Sequence, residues 1–158
     1  MTDHEQLVVV GIDGSAESLA AVRWALKEAV ALDARVEVIH SYLPQTLTDL
    51  GFSTPHELHT ASAIMLENEV KAALLEMPRQ PQVERLSLRG SPATVLLERS
   101  KNASLLVLGV HGRTALRDII LGRVSQACLR HATCPVIIVG LDQTVDRHEI
   151  AWSATASG

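Results

Sequence analysis

The run Leu105-Leu106-Val107-Leu108 contains no polar position, and this constrains the fold more than any other stretch. A strand with one face in water alternates apolar and polar residues. A strand without alternation has to be covered on both faces. Gln6–Ile12 (QLVVVGI), Arg35–Ser41 (RVEVIHS) and Pro135–Val139 (PVIIV) read as further strands, the first a β-branched run. Val83–Leu88 (VERLSL) alternates, which suits a strand with a partly exposed face at the edge of a sheet.

Helical patterns fill the intervals. Ser15 is a natural N-cap for a helix to about Leu32, with Leu19, Val22, Leu26 and Ala29/Val30 on one face and Asp33-Ala34 as its break. His56–Met77 carries Ala63, Leu66, Val70, Ala73/Leu74 and Met77 toward the core and is ended by Pro78 and Pro81. Gly90-Ser91-Pro92 starts a third helix, to about Lys101, with proline at its first position. A fourth runs from about Arg123 to His131. Strand-helix repeated four times and closed by a strand predicts a three-layer α/β domain: a five-stranded parallel sheet with helices on both faces, Rossmann-like. The expected domain is 1–140; 141–158 reads as a tail, small and polar at its end and expected to be partly disordered.

Composition narrows the function. A single Phe and a single Tyr make stacking platforms for nucleic acid hard to build, and a net charge of −4 argues against a general binder of nucleic acid or anionic membrane. No apolar run approaches the length of a membrane span, and Met1–Gln6 does not resemble a signal peptide. Cys128 and Cys134 read as buried small hydrophobes in a reducing, cytoplasmic setting, with a redox pair as the alternative.

In parallel α/β sheets, ligands bind beyond the C-terminal ends of the strands, where the strand order reverses. Ile12-Asp13, His40-Ser41 and Gly109–Gly112 leave the strands at that edge. Asp13 suits either a ribose or base contact or a turn residue bonded to its own backbone. After Leu108 come Gly109, Gly112 two residues later and Gly122 nine residues after that, where a helix begins. Any one of these glycines could serve a turn or cap alone. Three of them between a buried strand and a helix N-terminus suggest a phosphate cradle. It is neither a Walker A loop, since Arg123 follows Gly122 and the loop has no lysine, nor the dinucleotide fingerprint, which would follow the first strand. His56-Glu57-Leu58-His59 is not a zinc-helix motif, because its histidines are three residues apart; a solvated helix end is the expectation. No nucleophile–base arrangement stands out from the spacing, so no catalytic engine is expected.

Together these residues resemble the universal stress protein family, over Val8 to Val139. The similarity rests on Val10–Ser15, Gly90-Ser91-Pro92, Leu105–Gly109, the Gly109/Gly112/Gly122 spacing and Cys134–Val139. It implies an adenine nucleotide alpha hydrolase-like fold, ATP (with or without Mg2+) across the strand ends, and a homodimer in which the last strand, 135–139, pairs with its mate. Ile12, Asp13 and Ser41 would lie by the adenosine, and Leu108 and Gly109 by the base and ribose. His111, Gly112 and Arg113 would begin the phosphate loop, and Gly122, Arg123, Val124 and Ser125 would complete it. Arg123 stands where the family has Ser or Thr, replacing a hydroxyl by a guanidinium able to make charge-assisted bonds to phosphate. The implied function is a regulatory stress-response module that holds ATP, with at most slow hydrolysis. The alternatives are an interaction protein of the same fold whose pocket Arg123 blocks, and an enzyme of the wider hydrolase-like group.

Overall fold

The computed structural model describes residues 5–43, 54–110, 122–142 and 145–148. Its elements alternate as the apolar runs require: β1 (Leu7–Gly11), α1 (Ala16–Leu32), β2 (Arg35–Tyr42), α2 (Pro55–Leu75), β3 (Val83–Arg89), α3 (Pro92–Arg99), β4 (Leu105–Gly109), α4 (Arg123–His131), β5 (Val136–Val139) and β6 (Val145–His148). The sheet order is β3-β2-β1-β4-β5-β6. β1 to β5 are parallel and β6 is antiparallel to β5.

Strand parity divides the core into two layers. Val8 and Val10 of β1, Val36 and Val38 of β2 and Val107 of β4 face α1 and α2, where they meet Ala21, Leu26, Leu66 and Val70. Val9, Ile39, Leu106, Leu108 and Ile138 face the other way, toward Leu96 of α3 and Cys128 of α4. The alternating VERLSL strand is the sheet edge, as its pattern predicts. The single buried carboxylate of the described strands, Glu37 on β2, is held by Arg99 through two bonds (3.1 and 3.0 Å) and by Arg35 (3.0 Å). A buried charge survives in this way only when paired and hydrogen-bonded.

Helix starts follow their capping chemistry. Ser15 Oγ accepts from the Ser18 N–H (3.2 Å) at the head of α1. Thr54 and Glu57 form a reciprocal capping box on α2, with Pro55 in its first turn. This assigns Glu57 a structural task. Asp33, in the left-handed region at φ 54, stops α1 at the expected break. Among the described residues no helix is long and apolar enough to cross a membrane.

Three details differ from the sequence expectation. The sheet has six strands, and the sixth falls in the stretch read as a tail. Val145–His148 (VDRH) has no strand pattern of its own, and its conformation comes from the exposed ladder of β5, which it fills in register Val136↔His148 to Val139↔Val145. The outer edge of β5, where the resemblance implies a second copy, is therefore paired within the chain. On α2 the buried position is Ser62 and not Ala63, which is exposed; the hydroxyl is drawn inward by polar partners on β2 and β3. Finally, Ser91 occupies the N-cap position of α3, but its hydroxyl bonds Thr94 Oγ1 (2.8 Å) and not the helix backbone.

Candidate functional site

The strand order reverses between β1 and β4, each of which sends its crossover to a different side. A cleft of about 280 Å³ opens there, at the C-terminal ends of the strands. Its volume lies near the lower bound of small-ligand pockets, about 300 Å³. Ile12, Asp13, Ser41, Leu108, Gly109, Gly122, Arg123, Val124 and Ser125 all line it. These residues come from four separate segments, and the fold brings them to one place. His111, Gly112 and Arg113 lie outside the described residues.

The β1–α1 turn is tied together by its own side chains. Asp13 Oδ1 accepts from the Ser15 N–H (3.0 Å) and the Ser15 hydroxyl (2.5 Å), while the Asp13 N–H donates to Ser18 Oγ (3.3 Å). The turn role read for Asp13 is thus real, and the same residue also lines the cleft. Gly14, at φ 84, completes the bend.

The glycines have different tasks. A Cβ on Gly109 would lie 2.4 Å from the Glu17 carbonyl oxygen and 2.8 Å from the Ser18 nitrogen, both backbone atoms of α1. Gly109 therefore lets α1 seat against the end of β4. This is a helix–strand contact that the loop reading did not anticipate. Gly122 is the opposite case. Its φ of −65° suits any residue, and among the described residues nothing lies within 4 Å of a Cβ built on it.

Gly122 is also the N-cap of α4 and, having no side chain, makes no side-chain cap bond to the helix. The first N–H groups of a helix and the positive end of its dipole favour an anion. Ser125, buried in the first turn, adds a hydroxyl, and exposed Arg123 adds a fixed positive charge. Arg123 makes no ion pair among the described residues and leaves the cleft open beside it. The rest of the lining combines apolar Ile12, Ile39, Leu96, Leu108 and Val124 with polar Asp13, Ser15, Ser18, His40 and Ser41. The site thus combines apolar side chains and polar strand-end groups with an anion-favouring helix start.

Sequence reasoning did not assign Ser15, Ser18, Ile39, Pro92 and Leu96 to the site, although they line it. The parity of β2 could have suggested Ile39; nothing in the local sequence distinguishes Leu96 from any other core leucine. His40, at the strand edge that the sequence singles out, also lines the cleft. Burial lowers its pKa, partly offset by the Asp13 carboxylate. Burial also raises the pKa of Glu69 on α2, and Asp13 adds to that shift. Among the described residues no cluster of His, Cys, Asp or Glu could hold a metal ion.

Comparison with known proteins now bears on the site. The model of the universal stress protein family matches residues 6–140. The chain belongs to this family. A universal stress protein of Mycolicibacterium smegmatis is 32% identical over 86% of the chain and 49% of its own length. One from Thermus aquaticus is 30% identical over 84% of the chain and 96% of its own length. The chain spans about half the length of the mycobacterial relatives it matches. Among solved structures, a universal stress protein in complex with cAMP superposes with a TM-score of 0.66 and 27% identity, covering 87% of this chain and 98% of that one. The family match ends at residue 140, so β6 lies beyond it.

Proposed function

We propose that this universal stress protein binds an adenine nucleotide in the cleft, with ATP as the ligand, and acts as a regulatory stress-response module. The observation that carries the reading is the convergence of the four segments on a cleft at the N-terminus of α4, where Gly122 makes no side-chain cap and, among the described residues, nothing fills the space beside it. The cAMP complex of a structural relative supports an adenine nucleotide over other anions. The adenosine moiety would occupy the part of the cleft by Ile12, Asp13, Ser41 and Leu108. The phosphates would meet Gly122, Arg123, Val124 and Ser125, with His111, Gly112 and Arg113 of the connecting loop closing the cradle. Backbone N–H groups do most of the holding in such a cradle, and Arg123 adds charge-assisted bonds in place of the family hydroxyl. Mg2+, if it accompanies ATP, would be held by phosphate oxygens and water, the ligation that this ion commonly adopts.

The opposing reading, an interaction protein whose pocket is blocked by Arg123, has less support. Arg123 is exposed, and the cleft is open next to it. The test is to denature the purified protein, identify any released adenine nucleotide by chromatography and mass spectrometry, and titrate ATP calorimetrically into the stripped protein. Saturable binding of one ATP per chain is expected; no released nucleotide and no heat at high ATP would favour the interaction protein. Self-association belongs to the same reading and is checked by sedimentation. With β5 paired on both sides, a dimer through 135–139 requires β6 to leave its place.

A further inference from the structure

His40 sits at the end of β2 beside Ser41 and lines the cleft. Behind it, between β2, β3 and α2, runs a chain of polar side chains. His40 Nδ1 meets Ser62 Oγ (2.5 Å), and Ser62 Oγ accepts from Ser87 Oγ (2.6 Å). At the far end, His59 Nδ1 lies 3.2 Å from the Tyr42 hydroxyl and 3.4 Å from Ser87 Oγ.

The direction of this chain can be worked out by counting protons. A neutral histidine nitrogen offers either one N–H or one lone pair, and a serine hydroxyl has one proton to give. The closer and more acidic donor at His59 Nδ1 is the Tyr42 hydroxyl, so the Ser87 proton goes to Ser62. Ser62 accepts from Ser87, and among the described residues His40 Nδ1 is the one acceptor within reach of its own hydroxyl proton, so Ser62 donates to His40 Nδ1. His40 Nδ1 must therefore be the lone-pair nitrogen, and the ring proton sits on Nε2. Burial lowers the His40 pKa, partly offset by Asp13, which favours the neutral ring that this arrangement needs. The single polar group His40 has left to present is an N–H donor.

We propose that His40 is a specificity-determining residue that donates its Nε2–H to a lone-pair acceptor of the adenosine moiety, and that Ser62 and Ser87 are positioning residues that fix its tautomer. The inference rests on the nucleotide reading above. The acceptor is a ring nitrogen of the base or an oxygen of the ribose, which share this chemistry.

The test has two arms. Long-range proton–nitrogen correlation on the full chain reads the His40 tautomer with no ligand present. It should show Nε2–H in the wild type and a mixture in Ser62→Ala. Nδ1–H in the wild type would overturn the proposal. The second arm measures affinities for ATP, 2′-deoxy-ATP, 3′-deoxy-ATP and the 1-, 3- and 7-deaza analogues in the wild type and His40→Phe. The phenyl ring keeps the shape and removes the donor. His40→Phe should weaken ATP about tenfold and abolish the discrimination against one analogue, and that analogue identifies the acceptor as base or ribose. Equal losses for ATP and every analogue, or none, in a variant that keeps the wild-type far-UV spectrum would overturn the role of His40. Absence of ATP binding by the wild type itself would instead overturn the nucleotide reading.

Discussion

Replacing Gly109 with alanine separates architecture from ligand binding. The new methyl would lie 2.4 Å from the Glu17 oxygen, 2.5 Å from its carbonyl carbon and 2.8 Å from the Ser18 nitrogen, where ordinary contact begins at 3.4 Å. These are backbone atoms, so no side chain can swing aside; the first turn of α1 has to retreat by about 1 Å. That turn is tied to β1 by the Asp13–Ser15–Ser18 bonds and followed by the fully buried Ala21, Val22 and Ala25. Overpacking of this kind costs about 1–3 kcal/mol, which in a chain of this size lowers Tm by about 2–12 °C. The assay is thermal and urea unfolding by circular dichroism without nucleotide, with Gly122→Ser as the control. A serine at 122 meets open space and supplies the missing cap of α4. It should hold or raise Tm while weakening ATP binding, because its hydroxyl competes for the N–H groups offered to phosphate. Gly109→Ala with an unchanged Tm would refute the packing argument.

Arg123→Ala should weaken ATP about ten- to a hundredfold, the scale of hydrogen bonds to a charged group, without changing Tm; unchanged or tighter binding by calorimetry would remove Arg123 from the phosphate site. Burial, reinforced by neighbouring Cys134, pushes the Cys128 thiol from 9.0 up to about 11. The folded state then holds a proton that the unfolded state has lost between those values, so stability is fully present below pH 9 and falls by about 2–3 kcal/mol as pH rises to 11. Cys128→Ala should flatten that part of a urea-unfolding profile against pH. Arg99→Ala leaves buried Glu37 with Arg35 alone and should cost about 1–3 kcal/mol, whereas Arg23→Ala, which breaks only the exposed pair with Glu76, should cost under about 1 kcal/mol in the same assay.

The sequence was most legible where a local pattern and the tertiary fold demand the same thing. LLVL, LVVV and VIIV have no polar position, and they are the central strands β4, β1 and β5. The candidate residues of the cleft could be read because turn, glycine and helix start are local signals, and the rule for parallel sheets places them at one edge. β6 was not legible, because VDRH becomes a strand only through the ladder of β5. Ser62 was overlooked because apolar counting selects Ala63, and only the partners His40 and Ser87 turn the helix face by one residue. The packing task of Gly109 was not legible because its obstacle, the backbone of Glu17, is remote in sequence.

The most direct test of nucleotide binding in the cleft is an amide proton–nitrogen spectrum of the labelled protein followed as ATP is added. Saturable shifts are predicted at Ile12, Asp13, Ser41, Gly109 and Arg123–Ser125. No shifts at saturating ATP, or shifts confined to the opposite sheet edge around the polar hollow at Arg79–Gln82, would contradict the account.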